Sequence, residues 1–295
     1  MSDQKQQYGL GYIPDVGDFR DYSRDSPEVK DIFMKLNLTA DDTTLPVKTD
    51  FSNMFTGVRS QGNLGSCTAF ASVTGLVEFY NKNVNNDITQ LSPLFQYKMT
   101  RKAIMGLVGD TGASMRASMQ SLMEYGTVLE KWYPYTTDPK RFDLDIDIDI
   151  KLRGEKTQAL SYVRIDQRNV STTDVLKEIR RYCSKNLPSM IGFTVYNSSW
   201  SQANSSSDGA FPFPTRTDTV AGGHAVVICG YDDNKTITNK QDGSKTVGAV
   251  KIRNSWGMWG NRGYGWIPYK YIDAQLAMDF WVLLGMEYVD RRVFS

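Results

Sequence analysis

A helix-patterned first half followed by a strand-patterned second half predicts an α+β protein of two lobes with a cleft between them. Three observations carry that expectation. Apolar residues recur at spacings of three and four from Cys67 to Tyr125, the period changes to short β-rich runs after Pro188, and the chain of 295 residues is long for one compact lobe and short for two large domains.

The arm comes first in chain order. Residues 1–44 read as an extended segment, YGLGYIPDVGDFRDYS, and then a short helix from about Ser26 with Val29, Ile32, Phe33 and Leu36 on one face. That face, together with Tyr8, Tyr12, Ile13 and Phe19, needs a surface to bury against, so the arm is expected to lie along the protein and cover part of the cleft. Three helices follow, from Cys67 to about Lys82, Ser92 to Met105 and Ser114 to Tyr125. The acid-apolar alternation DLDIDIDIKL, residues 143–152, reads as a solvated edge strand. Asp145, Asp147 and Asp149 mimic part of a calcium loop there, but Ile150 stands where that loop needs glycine, so no metal site is assigned. In the second half SMIGFTVY, HAVVICGY, GAVKIRNSW and GYGWIPY read as strands, with KQDGSK as a hairpin tip and SSWSQANSSSDG as a Ser-rich loop.

Composition excludes more than it names. With 34 Lys and Arg against 33 Asp and Glu, and no block of like charge, nothing suggests a nucleic-acid or anionic-membrane partner. The start lacks the pattern of a secretory signal, and no run approaches the roughly 20 apolar residues of a membrane span. The expected location is therefore non-secretory: cytoplasmic, or virion-associated for a viral chain. Cys67, Cys183 and Cys229 are a sparse, odd set, which favours a reducing compartment, with Cys183 and Cys229 as one conceivable disulfide.

Three stretches carry chemistry. QGNLGSCTAFA puts Cys67 where a Gly-Ser turn becomes a helix, and the unpaired amides of a helix start favour a thiolate. VAGGHAVVICGYDD holds His224, the chain's one histidine, after two glycines. Taken alone, either residue is more often a satisfied structural group than a catalyst. A single histidine without clustered cysteines makes a zinc site improbable, so His224, if it acts, acts as a base. In KIRNSWGMWGNRGYGWIPY, Asn254 ends an apolar strand and Trp256 follows, an amide to hold an imidazole and an indole to shield it.

In that order these blocks resemble the papain-like cysteine peptidases. Leu45, Pro46, Val58, Gln61 and Gly62 are similar to the start of that family's mature domain and YPY at 133–135 to its middle, so the likeness spans about 45–289. Leu64 and Thr68 replace the family's usual Cys and Trp, and the spacings from Cys67 to His224 and Asn254 exceed the usual ~130 to 150 residues. The chain thus resembles divergent bacterial and viral members more than lysosomal ones.

The resemblance implies a papain-like fold: a helical N-terminal lobe, an antiparallel β-barrel-like C-terminal lobe and an active-site cleft between. It divides the chain into an arm, 1–44, shorter than the family's usual propeptide, and a peptidase domain, 45–295. It implies Cys67 as nucleophile, His224 as base, Asn254 and Trp256 as support for the imidazole, and Gln61 with the Cys67 amide as oxyanion donors. It further implies that a thiolate and imidazolium pair exists before substrate arrives, and that no cofactor is needed. Gly192, Gly222 and Gly223 would line a roomy pocket for large apolar side chains, and the Gly112 region would pair with substrate backbone. The partner is a peptide or protein substrate. Rival readings are acyl transfer to an amine, or a latent or inactive relative that binds peptides.

Overall fold

A computed structural model of the chain describes residues 8–38, 44–154 and 157–288. Residues 1–7, 39–43, 155–156 and 289–295 lie outside the described residues.

The helices of the first half form largely as their periodicity requires. After α1 (Lys30–Lys35), the first long helix opens as α2 (Cys67–Ala69), widens into π-helical turns over Phe70–Val77 and closes as α3 (Glu78–Val84). α4 (Pro93–Met99) and α5 (Met115–Tyr125) start at Ser92 and Ser114, whose hydroxyls accept the Phe95 and Ala117 amides and so satisfy a donor that the first helical turn leaves open.

The second half supplies most of one antiparallel sheet. Its strands are β1 (Lys48–Asp50), β2 (Thr157–Arg164), β3 (Ser189–Tyr196), β4 (Val220–Thr238), β5 (Lys245–Arg253), β6 (Tyr264–Pro268) and β7 (Ala277–Tyr288). Their order is β2-β7-β3-β4-β5-β6, with β1 paired to β4. The sheet stays open at β2 and β6, so the barrel-like lobe expected from the sequence is corrected to an open, twisted sheet. The tip joining β4 to β5 is the expected KQDGSK turn.

The first long helix lies directly on this sheet. At Gly75 an added Cβ would sit 2.2 Å from Val227 Cγ2 of β4, so only glycine lets the helix come this close. That contact sets how Cys67, at the helix start, stands against His224, which pairs with Phe193 across β3 and β4.

Two local expectations are overturned. Residues 143–147 form no strand, and α6 (Ile148–Gly154) follows them. Asp143 is drawn inward by two buried cations, Lys98 Nζ at 3.1 Å and Arg101 Nη2 at 3.2 Å, while Ile146 packs with Phe95, Met99 and Val128 and Ile150 lies against them. Acid-apolar alternation is a strand signal only where a neighbouring strand exists to pair with. The Ser-rich segment, expected as a loop, is α8 (Asn197–Ser205), after α7 (Thr172–Ser184). Ser199 and Ala203, one turn apart, are buried there, and Asp218 accepts the Ser198 amide at 3.1 Å, a cap supplied from elsewhere in the chain. The conceivable disulfide is also corrected, since all three cysteines are free, buried thiols.

The arm is not a uniform strap. Val29, Phe33 and Leu38 belong to the main core, with Phe33 set edge-on to Tyr182 at 6.3 Å, whereas Phe19, expected to bury, is 95% exposed. Phe33→Ala should therefore cost about 3 kcal/mol or more in equilibrium urea unfolding, while Phe19→Ala should stay within about 0.5 kcal/mol of the parent.

Candidate active site

The site is built where the first long helix meets β4. Cys67 is fully buried at the helix start, and His224 is fully buried on β4. The amide of Ala225, one residue past His224, lies within hydrogen-bonding reach of the Cys67 sulfur, as do those of Gly11, Thr68 and Cys67 itself. His224 Nε2 lies 2.8 Å from Asn254 Oδ1, which also accepts the Ser255 amide at 2.8 Å. An atom that takes a backbone N–H is the amide oxygen, so Nε2 carries the proton. Nδ1, without a hydrogen-bond partner among the described residues, is left as the ring's open acceptor. Trp256 stacks on the imidazole with centroids 4.4 Å apart and planes 23° apart.

Gln61 is held equally firmly. Its Oε1 accepts the Ser255 hydroxyl at 2.5 Å, which turns Nε2 toward Leu64 O at 2.7 Å and Gly9 O at 3.0 Å. The Tyr135 hydroxyl donates to Gln61 O at 2.8 Å and sits 2.6 Å from the Ser66 hydroxyl, so the YPY segment buttresses the turn before Cys67.

The cleft is occupied by the chain's own arm. Tyr12 N donates to Gly223 O and Ile13 N to Ala113 O, both at 3.0 Å, while Ala113 N donates to Gly11 O at 2.8 Å. The backbone partner beside the Gly112 turn is thus Ala113, and Gly112, at φ 76°, passes so near that a Cβ there would meet Gly11 O at 2.3 Å. Leu10 lies against Gly222, and the Tyr12 side chain runs between Gly192 and Gly223. Tyr8 stacks on Trp256 at 4.7 Å and 9°. Beside that stack opens a groove of about 460 Å³ lined by Asn204, Ser206, Met258 and Trp259. Every glycine expected to line the pocket therefore touches the arm.

Farther along, Arg116 pairs with Asp15 at 3.2 Å and with Asp21 at 2.8 Å, tying residues 15–21 to α5. Composition offered no sign of this clasp or of Asp279. An aspartate with no spacing relation to Cys67 or His224 is silent until β7 is folded beside β3. Asp279 is completely buried, and its Oδ2 accepts the Tyr12 hydroxyl at 2.6 Å and the Asp15 amide at 2.9 Å. Burial pushes its carboxyl up to about 6 although the neighbouring Arg164 pulls the other way.

Burial also opposes the expected ion pair. It pushes the Cys67 thiol up to about 11 against the nearby amides, and it pushes His224 down to about 4 although the Asn254 bond favours the protonated ring. In this covered state burial thus favours the neutral thiol and the neutral imidazole over the ion pair expected before substrate arrives.

Among the described residues no group of His, Cys, Asp and Glu has the arrangement of a metal site, and no helix is long and apolar enough to cross a membrane.

This fold and its family define a cysteine protease. The chain matches the papain family cysteine protease profile over residues 45–279, and it belongs to that family. It is 31% identical over 227 residues to an uncharacterized peptidase C1-like protein of Acanthamoeba polyphaga mimivirus, covering 76% of this chain and 68% of that one. It is 28% identical over 232 residues to a cathepsin L-like proteinase of Fasciola hepatica, covering 76% of this chain but 61% of the relative. Among solved structures it is similar to xylellain, a cysteine protease from Xylella fastidiosa, with a TM-score of 0.70, 30% identity and coverage of 96% and 98% of the two chains.

If the arm holds the thiol neutral, Cys67 alkylation by iodoacetamide should be slow at pH 7 and climb without a plateau up to about pH 9, because only the thiolate reacts. Gly192→Ala places a methyl 2.0 Å from the Tyr12 ring and should raise the pH 7 rate at least about tenfold, with Cys67→Ala as the unlabelled control.

Proposed function

We propose that this chain hydrolyses peptide bonds through a Cys67 thiolate and a thioester intermediate, and that residues 8–13 keep it latent. One observation carries the reading: a peptide of the chain itself crosses the site, with the Gly9 carbonyl on the Gln61 side-chain amide. A substrate carbonyl placed there would develop its negative oxygen against that donor and the Cys67 amide.

When the arm leaves, water and substrate reach the sulfur, and desolvation no longer opposes the ionic pair. Nδ1 of His224 takes the thiol proton, while Nε2 stays bonded to Asn254. The thiolate attacks the carbonyl carbon, and Cys67 and Gln61 steady the oxyanion. The imidazolium then gives its proton to the departing amine, leaving a thioester. Water, deprotonated by the same Nδ1, attacks the thioester, and collapse returns the carboxylic acid product and the thiol.

The arm avoids this fate because of what it presents. At the sulfur lies the Gly11 amide, a donor that a thiolate cannot attack. Trp256 keeps water from the imidazole-amide bond by covering one face of the ring.

Turnover of a fluorogenic peptide library by the Tyr12→Ala chain, which leaves the glycine walls of the slot unchanged, tests this. Adding Cys67→Ala or His224→Ala should reduce it to background, and adding Gln61→Ala should lower kcat on the order of 100-fold. Persistent turnover in Cys67→Ala would rule the mechanism out. Release of product only when an amine is supplied would favour acyl transfer over hydrolysis.

A further inference from the structure

We propose that Asp279 makes this cleft selective for a phenolic side chain, so that tyrosine is preferred over phenylalanine at the substrate position that takes the place of Tyr12. The proposal rests on the peptidase reading above and names its substrate class.

The pocket has glycine walls and an ionic floor. A Cβ on Gly192 would stand 2.0 Å from Tyr12 Cζ, and one on Gly223 would stand 2.9 Å from Tyr12 Cδ1, so the slot is as wide as an aromatic ring requires. At its end the Tyr12 hydroxyl meets Asp279 Oδ2 at 2.6 Å. The other oxygen, Oδ1, lies 2.6 Å from Arg164 Nη2.

Asp279 is set in this position by its own backbone. It adopts φ 59°, in the left-handed region that few non-glycine residues enter. Asp166 holds it there by accepting the Asp279 amide at 2.7 Å and the Phe280 amide at 2.9 Å. A strained, fully buried carboxylate aimed at the end of a slot is a costly feature for a pocket that needs only to receive apolar bulk.

The chemistry then separates three classes of side chain. Phenylalanine fills the slot but turns a ring edge to Asp279 Oδ2, which keeps the Asp15 amide and loses the hydroxyl donor, and a buried acceptor stripped of one partner is what hydroxyl-reading sites use to reject such analogues. Lysine or arginine would bring a second cation against Arg164, which stands 2.6 Å from Asp279 Oδ1 and also pairs with Asp166 and Asp21. Tyrosine alone supplies an aromatic body with a neutral donor at its tip. The roomy, apolar-tolerant pocket expected from Gly192, Gly222 and Gly223 thus has a polar end.

The experiment uses the full chain with Tyr12→Ala, which empties the slot. Peptides varied to Tyr, Phe, Lys or Leu at each position around the scissile bond are compared by kcat/KM. The same peptides are compared by calorimetric affinity for the chain carrying Tyr12→Ala with Cys67→Ala. At one position Tyr should exceed Phe and Lys at least about tenfold in both measurements, and Asp279→Asn should shrink the ratio. A tyrosine preference in binding without turnover supports the pocket and overturns the peptidase reading. Turnover in which Phe, Leu or Lys equals Tyr at every position overturns the proposal and leaves the peptidase reading standing, and absence of both binding and turnover overturns the proposal. Should Asp279→Asn fail to fold, the Tyr to Phe ratio on the Asp279 chain decides alone.

Discussion

The seating of one helix on one strand governs this molecule. Gly75 lets the helix that begins at Cys67 approach β4 to side-chain contact with Val227, and β4 carries His224 three residues earlier. Close packing of this kind leaves few alternative arrangements, because protein interiors have almost no free volume to absorb a shift. The remaining parts of the site are added around this contact. Asn254 follows the end of β5, the strand paired to β4, and Ser255 links the two polar arms of the site by giving its amide to Asn254 and its hydroxyl to Gln61.

The same packing makes the site dependent on what covers it. A thiol and an imidazole set in apolar surroundings are each more stable neutral, and a helix start with a few amides does not overcome complete desolvation at Cys67. The arm pairs by backbone with both walls of the cleft, to Gly223 on one side and Ala113 on the other. On the proposed latent reading, that pairing excludes substrate and the water that would support a charged pair. Its grip is distributed between an aromatic stack at Trp256, a phenol on Asp279 and the Arg116 clasp. The following segment, Val29 to Leu38, is bound into the core. The cleft-filling residues are thus tethered to a part of the chain that does not leave without unfolding.

Much of the site was readable because its chemistry sits in short stretches. Cys67 at a turn-to-helix junction, His224 after two glycines and Asn254 before a tryptophan each satisfy a local requirement, and their order along the chain added what none carried alone. Asp279 and Arg116 were not readable, since their partners are more than a hundred positions away in most cases and aspartate and arginine are common on any surface. The α6 and α8 regions misled for a related reason. Alternation in DLDIDIDIKL and serine richness at 198–209 are local signals, whereas Lys98, Arg101 and Asp218, which decide the outcome, come from elsewhere.

By itself, then, the sequence determined the α+β class, much of the helix and strand pattern, the candidate reacting side chains and an arm with apolar residues to bury. Tertiary structure decided that the sheet stays open, that the arm lies across the thiol, that burial beneath it disfavours the charged thiol and imidazole, and that a carboxylate meets the Tyr12 hydroxyl. Periodicity and motif order are set by neighbours in the chain. Charge state and pocket polarity are set by desolvation, which depends on every group folded around a site, whatever its distance along the chain.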